Sequence, residues 1–202
     1  MGDSQEIRRK QDIQQLPGCR LLKWFDHPLS PGQPLPSGMP LEEWDGTNIY
    51  SLKGQSIGID LAEIKAKVYR CSRDDFDGSF SEGSSVLNFE ADPLVNLVHL
   101  RFNPPVLAIG THVAGAKRDG RGYKVSFILL LADGKKWTPF AAPQTGTFSS
   151  NRDTAPFVGA KADAANPIVE MYCDMYPTGN RDEDTEADVA IGDLYFVPSL
   201  QG

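Results

Sequence analysis

The stretch YKVSFILLLADGKKWTPFAA, from Tyr123 to Ala142, is the part of this chain whose reading decides the fold. Val125, Phe127, Leu129 and Leu131 recur at every second position, so an extended backbone turns all four to one side. Asp133 and Gly134 then interrupt the apolar run, and a second strand-like segment follows. Asp-Gly between two such runs is a hairpin signal, because glycine reaches the backbone angles that a tight turn requires.

The same alternation spreads outward. Upstream, in NLVHLRF, Val98, Leu100 and Phe102 alternate with Leu97, His99 and Arg101; Asn103, Pro104 and Pro105 should break that strand before VLAIGTHVA resumes. Downstream, in IVEMYCDMY, Val169, Met171, Cys173 and Met175 share one face, and Tyr172, Asp174 and Tyr176 share the other. NIYSLKGQSIGI, AKVYRCS, SSVLNFEA, PFVGAKA and VAIGDLYFV bring the total to about ten candidate strands. The 19 glycines and 15 prolines recur where turns between them would fall. No amphipathic helix interrupts the body. These features lead to an all-β domain over residues 19–202, a β-sandwich of two antiparallel sheets. Residues 1–18 read as a short N-terminal arm, flexible or helical and loosely held, because Ile7 and Ile13 are too sparse to form a buried stripe.

Charge and composition narrow the function classes. The formal net charge is -7, and residues 163–202 alone hold nine acidic side chains and one arginine. Such a body repels phosphate backbones, so no nucleic-acid partner is expected despite Arg8, Arg9 and Lys10. Three widely spaced cysteines, Cys19, Cys71 and Cys173, build neither a dense disulfide framework nor a CxxC metal site. No apolar stretch approaches the roughly 20 residues of a transmembrane helix, and the N-terminal residues lack the apolar segment of a secretion signal.

Familiar chemical motifs are missing. There is no GxSxG elbow, and the histidines are His27, His99 and His112. The acidic run from Asn180 to Asp188 fails the EF-hand pattern, since its sixth and twelfth positions are Thr185 and Ile191; it reads as a solvated loop. RDDFDGSFSEG, with Asp75 and Asp77, reads as a long turn. Sugar rings stack their C–H faces on aromatic planes, which makes Trp24, Trp44, Trp137, Tyr172 and Tyr176 candidates, with Trp137, Tyr172 and Tyr176 preferred as ligand-binding residues together with Asp174. No catalytic residue is assigned.

The order of WFDHPLSPGQPLPSG, NLVHLRFNPPVLAIGTHVAG, FILLLADGKKW, PFVGAKADAANPIVEMYCD and VAIGDLYF resembles the body of bacterial exported β-sandwich proteins, many of which carry PEP-CTERM sorting tails. The likeness covers roughly Trp24 to Phe196. It implies a jelly roll similar to carbohydrate-binding modules, an extracellular or periplasmic setting, and a structural calcium where the first and last strands meet. Carried over by position, Asp26 of WFD and Asp193 of IGDLYF are its ligands. Leu194 departs from the acid or amide usual in the closing motif. The resulting expectation is a noncatalytic, lectin-like carbohydrate-binding module. Its alternatives are a structural or protein-interaction component of a secreted effector or toxin assembly, with the N-terminal arm as contact, and a glycan-active enzyme.

Overall fold

The alternating run at the centre of the sequence becomes strand β8 (Gly122–Leu131), and its hairpin partner is the short β9 (Lys136–Trp137). Leu129 pairs with Trp137 and Leu130 with Lys136. Gly134 adopts φ 81° in the turn, the left-handed region that glycine enters without a steric cost. The turn is fastened by Lys135, whose backbone N–H donates to Asp133 Oδ1 at 3.0 Å and whose Nζ lies 2.8 Å from the same carboxylate. Those contacts with Lys135 hold the Asp133 pKa down to about 2.

The chain is seen in a computed structural model that describes residues 4–24, 34–35, 58–61, 66–71, 79–89, 97–115, 121–147, 153–178 and 189–199. Besides β8 and β9, the described elements are β1 (Gln5–Ile7), α1 (Lys10–Gln14), β2 (Arg20–Leu22), β3 (Pro34–Leu35), β4 (Gly58–Leu61), β5 (Ala66–Arg70) and β6 (Ser85–Phe89). They continue with β7 (Leu97–Gly115), β10 (Gln144–Thr147), β11 (Phe157–Lys161), β12 (Ile168–Pro177), β13 (Val189–Ile191) and β14 (Leu194–Pro198). The main path of hydrogen-bonded neighbours runs β10-β8-β12-β7-β13-β6-β5-β3, and the described pairings are antiparallel. The result is a mostly β protein whose sheet curls strongly into a half-barrel, with one short helix. The described strands link into one curled sheet, where the sequence reading expects two stacked ones.

β7 is the spine. Its first half pairs with β12 on one side and β4 on the other; its second half pairs with β11, β13 and β14. Asn103, Pro104 and Pro105 do not end it, contrary to expectation. Instead Ile168 pairs with Val106 while Glu170 pairs with Arg101, so β7 carries its additional residues as a bulge. Proline has no N–H to give a ladder, and a bulge is where a sheet tolerates that loss. The Pro105 carbonyl accepts the Ser199 backbone N–H at 3.0 Å and its hydroxyl at 2.7 Å, which satisfies the acceptor the bulge leaves over.

The period-two reading orients the core. Val98, Leu100, Phe102, Val125, Phe127, Leu129, Met171, Cys173 and Met175 are all buried in one cluster, and Leu131 packs against it. Cys71 and Cys173 are buried free thiols and Cys19 is a half-buried one.

The arm departs from expectation in being packed down over its described part. Ile7 and Ile13 are buried and join Ala108, Phe157, Tyr195 and Val197 in a second cluster. Two isoleucines cannot make an amphipathic stripe, but here the apolar partners come from β7, β11 and β14, and β1 is stitched to β11 by three residue pairs. Gly159 faces Gly110 across β7 and β11, where a Cβ on Gly159 would stand 2.8 Å from the Ile109 carbonyl oxygen. The missing side chains let Phe157 and Ile13 settle onto the sheet.

Candidate functional site

Two places on the half-barrel carry polar groups in an organised arrangement. The first is the outer face of β8, β12 and the first half of β7. With Met171, Cys173 and Met175 of β12 turned inward, Glu170 and Tyr172 project outward, and the register sets Arg101 of β7 beside Glu170. Val169 does not join the inward row as expected: the register shifts between Ile168 and Glu170, and Ile168 is buried in its place. The Tyr172 hydroxyl donates to Glu170 Oε2 at 2.5 Å, and Glu170 Oε1 lies 3.4 Å from Arg101 Nε. Donation to Glu170 raises the Tyr172 pKa, so the phenol keeps its proton. The ring therefore sits beside a carboxylate and a guanidinium that orient it.

Asp174 and Tyr176 continue the same backbone row toward the end of β12, but their side chains lie outside the described residues. Trp137 does not join Tyr172. Its partner Leu129 is buried and pairs in turn with buried Met171, so Trp137 is half-buried against the core on the opposite face.

The second place is a small open pocket of about 80 Å³. Five segments meet there: Lys10 from α1, the loop 79–84 before β6, His112 from β7, Asp153 and Ala155 before β11, and Gly192, Asp193 and Tyr195 around the start of β14. The loops are clasped. Thr154 and Ala155 both donate their N–H to the Ser79 carbonyl at 3.0 Å, and the Ser81 hydroxyl donates to Asp153 Oδ1. Asp153 holds φ at 61°, a left-handed conformation that aspartate enters more readily than most residues. The Gly192 carbonyl accepts Trp24 Nε1–H at 2.8 Å and the Thr111 hydroxyl at 3.1 Å, while the Gly192 N–H donates to the His112 carbonyl at 2.9 Å. These bonds fix the turn that presents Asp193.

His112 is the pocket's titratable centre. Its Nδ1 lies 2.9 Å from the Ala155 carbonyl, an acceptor only, so Nδ1 carries the proton and Nε2 is the acceptor of the neutral ring. Its ring edge meets Phe157 at a centroid distance of 5.1 Å. Burial lowers the His112 pKa; Lys10 adds to that, and the bond to Ala155, Asp153 and Asp193 oppose it. Because the folded-state value lies below the unfolded one, stability is fully present above the unfolded pKa of about 6.5 and is lost as pH falls through the folded value. His112→Asn keeps a donor for Ala155 and removes the titration, so its melting temperature is expected to fall less than the parent's between pH 7 and pH 5. Parallel pH curves for the two proteins would count against a desolvated ring.

The residues named from the sequence separate accordingly. Asp193 lies in the pocket; Tyr172 lies on the sheet face; Asp26, Trp44 and the acidic runs at 72–78 and 179–188 fall outside the described residues. Among the described residues, no group of three His, Cys, Asp or Glu side chains is placed to hold a metal ion, and no helix is long and apolar enough to cross a membrane. Sequence reasoning missed Lys10, His112 and Asp153. The paired serines of SFSEGSS and the acidic and basic neighbours were visible, but nothing in their spacing signals that these segments meet. No family model, curated protein or solved structure matches the chain.

Proposed function

We propose that the chain is a noncatalytic carbohydrate-binding module whose contact surface is the outer sheet face around Tyr172. The observation that carries this reading is the Tyr172–Glu170–Arg101 row: an aromatic ring on the solvent side of a rigid strand, with a carboxylate and a guanidinium beside it. A sugar ring laid on the tyrosine would offer C–H groups to the ring face and hydroxyls to both charged neighbours. Pairing on both sides of β12 fixes that row in advance, which limits the ordering cost of binding. The finer architecture belongs to the same proposal. The half-barrel would be a jelly roll, with β8, β12 and the first half of β7 in one layer and β13, β6 and β5 turning toward a second.

A polysaccharide panel probed with the full chain, with calcium and again with chelator, tests the reading. At least one polymer should be retained, and Tyr172→Ala should weaken retention by about tenfold or more with little change in melting temperature, as expected for loss of one stacking contact and its hydrogen bonds. Chelator should lower the melting temperature if calcium is held. Silence across plant, microbial and host glycans would end the carbohydrate reading and favour a protein-interaction component, for which β10, with exposed Thr145 and Thr147, offers a sheet edge.

A further inference from the structure

The pocket at His112 is separate from the sheet face: Arg101 and His112 occupy the two halves of β7, on opposite sides of its bulge. We propose that this pocket is a second binding site, one that takes the terminal sugar residue of a glycan by a pair of adjacent hydroxyls. The ligand class rests on the carbohydrate reading; the location does not.

The lining excludes simpler ligands by its mixture of signs. Asp153 and Asp193 oppose an anion, and Lys10 opposes a compact cation. No metal-holding group of three side chains is formed among the described residues. What remains is a neutral ligand that both gives and accepts hydrogen bonds, and adjacent hydroxyls do this, each donating one proton and accepting others. The pocket supplies acceptors in the Asp193 carboxylate and the neutral His112 ring, and a donor in the Lys10 ammonium. Its apolar walls are Phe80 and Tyr195, and Lys10 Nζ is held 5.3 Å over the Tyr195 ring, which keeps the donor beside one of those walls. About 80 Å³ admits the edge of a sugar ring and not a continuous polymer, so the site selects chain ends.

The test uses methyl glycosides of the gluco, galacto, manno, fuco and N-acetylglucosamine series, titrated into the full chain while the histidine ring resonances are followed by NMR. Three histidines give three signals, and His112→Asn assigns the one of interest. At least one glycoside is expected to shift the His112 signal with an affinity of about millimolar, appropriate to a few hydrogen bonds. Asp193→Asn and Lys10→Met should each weaken that binding about tenfold, and Tyr172→Ala should leave it within about twofold. Lys10→Met serves where Asp193→Asn disturbs the turn. No shift of His112 with any glycoside up to about 100 mM, or a shift insensitive to both pocket variants, overturns the proposal. Polymer binding that depends on Tyr172 with a silent His112 signal would sink this inference alone; shifts at His112 with no polymer retained would sink the sheet-face reading alone.

Discussion

Trp24→Ala is expected to lower the melting temperature by about 10–15 °C, the largest stability effect of any single truncation considered. Trp24 is among the largest side chains with no solvent exposure. Emptying such a site costs about 3–5 kcal/mol, and a chain of this size loses roughly 2–4 °C per kcal/mol. The damage extends to the pocket, because Trp24 Nε1 is one of two donors on the Gly192 carbonyl beside Asp193. Trp24→Phe keeps most of the volume and removes the donor, so it should recover much of the melting temperature. A fall of less than about 4 °C for the alanine variant, by differential scanning calorimetry, would mean that Trp24 is not buried as described.

Ile13→Ala is expected to cost about 2–4 kcal/mol and about 5–12 °C. Ile13 has no solvent exposure and lies in the cluster with Phe157, Tyr195 and Val197 that holds the arm to the sheet. The same variant should be cut faster by trypsin after Arg8, Arg9 or Lys10, since besides Ile13 the short β1 and α1 are held mainly by Ile7 and the three-residue pairing with β11. An arm free in solution would show neither effect: the melting temperature would stay within about 1 °C and cleavage would be equally fast in parent and variant.

What could be read from the sequence was the face on which residues lie within an unbroken strand; Val169 reads as inward, but the register shift before Glu170 buries Ile168 instead. Period two placed Phe127, Leu129, Met171 and Cys173 inward and Tyr172 outward, because strand geometry alone sets that alternation. Adjacency was not readable. Trp137 was grouped with Tyr172, yet the Asp133–Gly134 turn fixes a register that pairs Trp137 with Leu129 on the inner side. Pro104 and Pro105 read as a stop, and only the partner strand β12, whose register shifts opposite them, reveals a bulge. Asp193 is singled out through the resemblance of its IGDLYF segment; its neighbours Lys10, His112 and Asp153 come from segments whose meeting depends on the whole topology.

The nineteen-residue spine also dictates an order of events during synthesis. Its second half waits for β11, β13 and β14, and Trp24 waits for a carbonyl 168 residues downstream. Until residues 189–198 have left the ribosome, the nascent chain must carry an apolar ribbon with open hydrogen-bonding sides. Such delayed closure makes folding slow and leaves the newborn polypeptide dependent on whatever shields it from its neighbours.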